Sequence, residues 1–184
     1  NMLDEAMRRS AYGLRDAADQ FLAGIMSASV DAGNVIGSTV TPKVPTKADA
    51  YEYLVDLGTL LDEANVPTEG RWCVVPSWFH GLMLKDDRFV SAGTAKTDQV
   101  LQNGMVGEAA GFSILKSNNV PNTAGAKYYI MAGHSMATTY AEQILDLVTY
   151  KPEKRFGDAV KGLHVYGGKV LRGTALAALI ASKS

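Results

Sequence analysis

The sequence has a single cysteine, Cys73, in 184 residues. One thiol builds neither a disulfide framework nor a cysteine-based zinc site, and a reducing compartment is its simplest setting. Set in a Val-rich stretch beside Trp72, Cys73 reads as a small buried hydrophobe, not a reactive thiol. No apolar run approaches the roughly 18 residues of a membrane span. The opening Asn1-Met2-Leu3-Asp4-Glu5 does not read as a secretory signal peptide. An excess of one charge sign is missing as well: 18 Lys and Arg stand against 19 Asp and Glu, a net charge of −1. A protein that grips nucleic acid by neutralising phosphates carries a basic excess or stripe. The densest basic stretch here, Lys151, Lys154 and Arg155, is interrupted by Glu153 and reads as a solvated turn, which leaves a small DNA-binding module as the weakest reading.

What is present is an ordinary globular composition. Hydrophobic residues make up 47% and charged residues 20%, which excludes disorder, collagen-like repeats and coiled coil as the main state. A chain of this length buries about 70% of its unfolded surface, so it holds one compact domain or two small lobes sharing a core, without staples.

Apolar residues Leu3, Met7, Leu14, Ala18, Phe21, Leu22 and Ile25 recur at helical spacing and predict a helix from 2 to about 29. Asp4/Arg8, Glu5/Arg9 and Arg15/Asp19 add i,i+4 pairs on its exposed side. At 1.5 Å per residue it is about 40 Å long, a spine rather than an average helix. Gly33, Gly37, Pro42 and Pro45 mark residues 30–46 as a loop. Thr46-Lys47-Ala48-Asp49 resembles a capping box and predicts a second helix from Thr46, ended by Asn65 and Pro67. Strands are expected at 72–75, 112–116 and 127–131, with a brief helix after Pro76-Ser77. Residues 139–147 fit helix or strand. Residues 159–171 read as a long strand bent at Gly167-Gly168. The order, helices and then mixed strands, predicts an α+β fold without a doubly wound parallel sheet.

The sharpest enzyme-like motif is Gly133-His134-Ser135-Met136-Ala137. It approaches the G-x-S-x-G nucleophile elbow of α/β-hydrolases and follows an expected strand. That fold needs an acid and then a histidine further on, and His164 is the one later histidine. An esterase using Ser135 is therefore the alternative function, and a plain turn the simpler reading. His80, His134 and His164 lie far apart and lack metal-ligand spacing. Asp86-Asp87-Arg88 reads as a solvated helix end. Gly104, Gly107 and Gly111 form no phosphate loop, and Asn103-Gly104 predicts a tight turn. The expectation is no catalytic residue, no cofactor and no metal.

Three stretches carry a resemblance. Residues 155–170 (Arg155-Phe156-Gly157-Asp158-Ala159-Val160-Lys161-Gly162-Leu163-His164-Val165-Tyr166-Gly167-Gly168-Lys169-Val170) form a polar turn followed by a long strand. Leu61-Asp62-Glu63-Ala64-Asn65-Val66-Pro67 followed by Gly70-Arg71-Trp72-Cys73-Val74-Val75-Pro76 forms a helix–strand junction. Gly107 to Pro121, with Gly111-Phe112 and Ser117-Asn118-Asn119-Val120-Pro121, is the third. Taken in chain order, across residues 57 to 172, they resemble the major capsid proteins of tailed bacteriophages and prophages.

The resemblance implies the Hong Kong 97-type fold. Residues 1–66 would hold the peripheral-domain helices including the spine, 67–150 the axial domain around capsomer centres, and 151–184 a returning long strand and C-terminal segment. It implies a structural subunit of an icosahedral shell enclosing double-stranded DNA, assembled in the bacterial host cytoplasm. The partners implied are identical subunits in pentamers and hexamers, scaffolding protein and portal, and DNA held weakly and non-specifically, in keeping with the balanced charge. The family's N-terminal arm and extended loop are not found ahead of the spine helix, so the chain is expected to be truncated there and to be a monomer or a weak ring of five or six. Encapsulin-type shells share the fold and are the non-viral alternative.

Overall fold

The computed structural model describes residues 2–86, 107–154, 157 and 159–183. The Asn103-Gly104 turn, the polar stretch 91–103, Asp87-Arg88 and, in the 155–170 stretch, Arg155, Phe156 and Asp158 lie outside the described residues. In chain order the elements are α1 (Met2–Ala28), β1 (Val35–Ile36), α2 (Ala50–Glu63), β2 (Arg71–Val75), α3 (Ser77–Leu84), β3 (Glu108–Ala109), β4 (Phe112–Lys116), β5 (Asn122–Thr123), β6 (Lys127–His134), β7 (Thr138–Tyr150), β8 (Ala159–Val170) and β9 (Leu176–Ser182).

The helix expected from 2 to about 29 is α1. Ala18 and Met26 are buried and Leu22 and Ile25 half-buried, while Leu14 and Phe21 stay exposed at about two-fifths. The side chains of Leu3 and Met7 lie outside the described ones. Arg9 pairs with Glu5 at 3.1 Å on the solvent side, a contact worth a few tenths of a kcal/mol.

The second helix begins at Ala50, not Thr46. The Thr46 hydroxyl donates to Asp49 Oδ2 at 2.8 Å, so the two side chains satisfy each other instead of capping backbone amides. Its end matches expectation and has a clear cause. Asn65 takes a left-handed φ of 54°. Val66 N–H then donates to the Leu61 carbonyl at 3.0 Å and Asn65 N–H to that of Asp62 at 2.9 Å. That is a Schellman closure, with Val66 and Leu61 both buried beside it.

A mixed sheet runs β1-β9-β6-β2-β4-β3, with β5 added on β6. β2 pairs parallel with β4 and antiparallel with β6, and β9 lies antiparallel to β6 and parallel to β1. One face carries Cys73, Val75, Phe112, Ile114, Ile130 and Leu179, packed with Leu54, Leu57, Leu61, Phe79 and Met83 of α2 and α3. Gly58 of α2 stands over Phe112, where a Cβ would lie 3.5 Å from the ring. The other face carries Trp72, Val74, Leu115, Tyr129 and Met131 towards α1.

Two segments for which no strand is expected are ordered into this sheet. β1 lies in the expected loop 30–46, and nearby Asn34 is buried, its amide donating to the carbonyls of Thr174 and Leu176 at 2.9 and 3.0 Å. The small apolar tail is β9, buried from Leu176 to Ala181. Between β1 and β6 it has no solvent face, which is why it lacks the polar alternation that marks a strand in sequence.

The ambiguous 139–147 is strand: β7 and β8 form a separate two-stranded hairpin. Its irregularity lies between Ile144 and Asp146, not at the glycines. Gly167 and Gly168 pair in register with Ala141 and Tyr140. Gly168 serves a different purpose: a Cβ there would stand 3.2 Å from Leu22 Cδ1, so its absence lets α1 lie on the hairpin. Phe21 meets Tyr166 edge-on at 5.2 Å beside it.

Candidate functional site

Ser135 is not at a nucleophile elbow. It opens a short 3-10 turn, Ser135–Ala137, that joins β6 to another strand, β7. β6 is antiparallel to both β2 and β9, whereas an elbow leaves a parallel strand and enters a helix. Nor do the histidines serve it. His134 Nδ1 accepts from the Met136 amide at 3.1 Å. His164, on β8, faces Glu142 Oε2 at 3.4 Å. His80 is half-buried in α3, its pKa held down by burial first and by nearby Lys116 second. Among the described residues no group of three His, Cys, Asp or Glu is placed to hold a metal. Cys73 is fully buried, and burial pushes its thiol up to about 12.

Among the described residues, polar side chains converge at the α2–β2 junction and on the hairpin. The first is the junction between α2 and β2. Arg71 is 6% exposed and fans its guanidinium across the end of α2. Nε donates to the Pro67 carbonyl at 2.9 Å, Nη1 to that of Gly58 at 3.4 Å, and Nη2 to that of Val66 at 2.6 Å and to Asp62 Oδ1 at 2.7 Å. This is what the 61–76 stretch encodes. The Asn65 turn closes the helix, and a cation from the following strand satisfies the Val66 and Pro67 carbonyls just beyond it. Gly70, at a φ of 74°, makes the turn between them.

The second convergence lies within the hairpin, across β7 and β8. Tyr140 OH donates to Glu142 Oε2 at 2.9 Å, and the same oxygen faces His164. Desolvation first, then the Glu142 hydrogen bond, raises the Tyr140 phenol. His164 in turn lies on Tyr166 at 5.1 Å. On the sheet side, Asn119 donates to Asp16 of α1 at 2.6 Å. Sequence reading found neither convergence as such. The acceptors of Arg71 are mostly carbonyls, which leave no mark in side-chain spacing, and Asp16/Asn119 are 103 positions apart.

A cavity of about 400 Å³ lies between α1 and the sheet, walled by Leu22, Met26, Trp72, Leu115, Tyr129 and Met131. Asp19, Ser117, Asn119 and Thr138 also line it, and the wall is mainly apolar.

Residues 1–179 match the family described as phage capsid protein. The chain belongs to that family. Solved structures give it the Hong Kong 97-type fold. A structure from Mycobacterium phage Che8 is 29% identical with a TM-score of 0.79, covering 96% of this chain and 62% of that one. The capsid structure of cyanophage P-SCSP1u is 19% identical with a TM-score of 0.70, covering 99% and 69%. The holo-SrpI encapsulin of Synechococcus elongatus is more distant, at 13% identity and a TM-score of 0.57 over 96% and 64%. This capsid-family chain therefore spans about three-fifths of the Che8 chain it matches. No curated protein matches it.

Proposed function

We propose that the chain is a structural subunit of an icosahedral phage or prophage shell, self-assembling with identical copies around double-stranded DNA and performing no catalysis. The match of residues 1–179 to the phage capsid family carries this reading. The interior charge logic supports it: at a net charge of −1 the chain holds DNA without the salt-sensitive grip of a dedicated binder. Pentamers and hexamers, scaffolding protein, portal and assembly in the host cytoplasm complete the proposal.

The packing supports a division of labour. The helices α2 and α3 share one core with the mixed sheet, which we assign to the axial part. The hairpin rests on α1, and these form the peripheral part. This grouping follows contacts instead of the linear limits 1–66, 67–150 and 151–184, since α2 joins the sheet core and β7 pairs across residue 150 with β8.

The test is to express the reading frame that contains this chain in bacteria and image the lysate by negative stain. Regular particles tens of nanometres across, composed of this protein, are expected. A soluble, particle-free product alongside hydrolase activity lost in a Ser135→Ala variant overturns the reading. Nuclease-protected DNA inside the phage-derived particles separates the viral shell from an encapsulin-type one.

A further inference from the structure

On β8 the hairpin shows solvent a row of alternate side chains. His164, Tyr166 and Gly168 of β8 are half-buried on the α1 side, so Lys161, Leu163, Val165 and Lys169 alternate outward, and all four are exposed. Leu163 is 57% and Val165 49% exposed, unusual for apolar residues in mid-strand. A two-stranded sheet has no core of its own and is marginal unless another element packs on it. α1 covers one face only.

A second face has the opposite sign. From Ala48 to Gly70 the sequence holds Asp49, Glu52, Asp56, Asp62, Glu63 and Glu69 and no lysine or arginine. Glu52, Val55, Asp56, Thr59 and Glu63 fall at i, i+3, i+4, i+7 and i+11 on α2, on one side of the helix, and all are exposed. Val55 sits among them at 42% exposure. The acidic field is felt locally: the Tyr53 phenol is raised by burial first and then by Asp49, Asp56 and Glu52. Each face is thus an apolar centre rimmed by charge, basic on β8 and acidic on α2.

We propose that the outward face of β8 on one copy docks on the acidic face of α2 on a second copy. Leu163 and Val165 meet Val55, and Lys161 and Lys169 meet Glu52, Asp56 and Glu63. The two patches differ, so the contact is heterologous, the kind that closes rings when repeated. Complementary charge sets its register and suppresses wrong pairings. It supplies part of the roughly 1,000 Å² that stable association needs. The inference rests on the reading of the chain as a subunit of a shell of identical copies.

The test mixes chains carrying Val55→Cys with chains carrying Val165→Cys and treats them with a short bis-maleimide. Cys73 is fully buried and does not compete. The mixed 55–165 dimer is expected to exceed either homodimer by about tenfold. Glu52→Lys/Asp56→Lys in the Val55→Cys chain removes that excess, and Lys161→Glu/Lys169→Glu in its partner restores it, a rescue that misfolding does not produce. Equal yields of all three dimers, no cross-link at roughly millimolar protein, or no rescue overturns the proposal. Particles seen by microscopy without the 55–165 cross-link discard this contact and leave the shell function standing. Failure to form particles bears on the shell function alone, because the cross-link reads pairs.

Discussion

Replacing Arg71 with alanine tests whether the α2–β2 junction is held by backbone acceptors or by its ion pair. Arg71 is 6% exposed and satisfies three carbonyls, Gly58, Val66 and Pro67, besides Asp62. Removing the guanidinium strips charge-assisted hydrogen bonds from buried acceptors, each worth about 1.5–3 kcal/mol, with the 3.4 Å bond to Gly58 at or below the low end. Asp62 is 60% exposed and returns to water at little cost. Allowing for partial hydration of the vacated space, Arg71→Ala costs about 3–5 kcal/mol, or roughly 6–20 °C in melting temperature for a chain of this size. Arg71→Lys supplies one point charge for a planar fork and recovers about half or less. Asp62→Asn costs under about 1 kcal/mol. Urea unfolding followed by circular dichroism measures all three. If Asp62→Asn is as damaging as Arg71→Ala, the ion pair carries the junction and the argument from carbonyl acceptors is wrong.

Other outcomes follow from single contacts. A Cβ at Gly173 lands on the Ser29 carbonyl, so Gly173→Ala lowers stability by about 1–3 kcal/mol, while Gly81→Ala in α3, with nothing within 4 Å, is neutral or stabilising in the same melts. Folded Cys73 keeps its proton to about 12 whereas an unfolded thiol loses it near the ordinary 9. Its share of stability is therefore whole below pH 9 and lost as pH rises towards 12, a loss that Cys73→Ala removes from the alkaline limb of a stability–pH curve; an unchanged limb refutes this. The same thiol reacts with Ellman's reagent only after unfolding. Ser135→Ala leaves the stability within about 0.5 kcal/mol of the parent, and a fluorophosphonate leaves Ser135 unlabelled; stoichiometric labelling would falsify the assignment of that turn as structural.

Legibility in the sequence tracked how much of each element's pattern comes from its own surface. α1 showed because one side is wet and the other packed, and the spacing records that division. β2, β4 and β6 showed as short apolar runs bounded by Gly and Pro. β9 did not, because burial on all sides erases alternation and Leu176-Ala177-Ala178-Leu179-Ile180-Ala181 then reads as a featureless tail. β1 was hidden because two residues pairing with β9 have no period at all. The start of α2 was misplaced because Thr46 and Asp49 fit a capping box in type and spacing but bond each other. Gly167-Gly168 suggested a bend, yet Gly168 is required by the approach of Leu22 from α1, a contact 146 positions away that no local rule contains. The family showed more readily than the site, since the 61–76 stretch encodes the Arg71 junction, a local device with fixed residue types.

The two halves of the molecule are built for different loads. The sheet buries large side chains on one face against two helices, and its glycines are forced by neighbours: at Gly133 a Cβ would stand 2.7 Å from Leu176 Cδ2 and 3.1 Å from the Trp72 ring. Such a body is rigid and its register fixed. The hairpin depends on a few side chains of α1 and on one carboxylate, Glu142, shared by Tyr140 and His164. It keeps Leu163, Val165 and Leu171 in water. The cavity of about 400 Å³ beneath α1 is walled mainly by apolar side chains, while Arg71 and Asn119 are used in joining elements. A shell subunit has a need of its own. Its contacts must be weak singly, so that subunits stay soluble and errors dissociate, and strong only when symmetry repeats them. A thinly supported hairpin with apolar residues flanked by lysines, carried on a rigid body in a chain of near-zero net charge, meets both conditions.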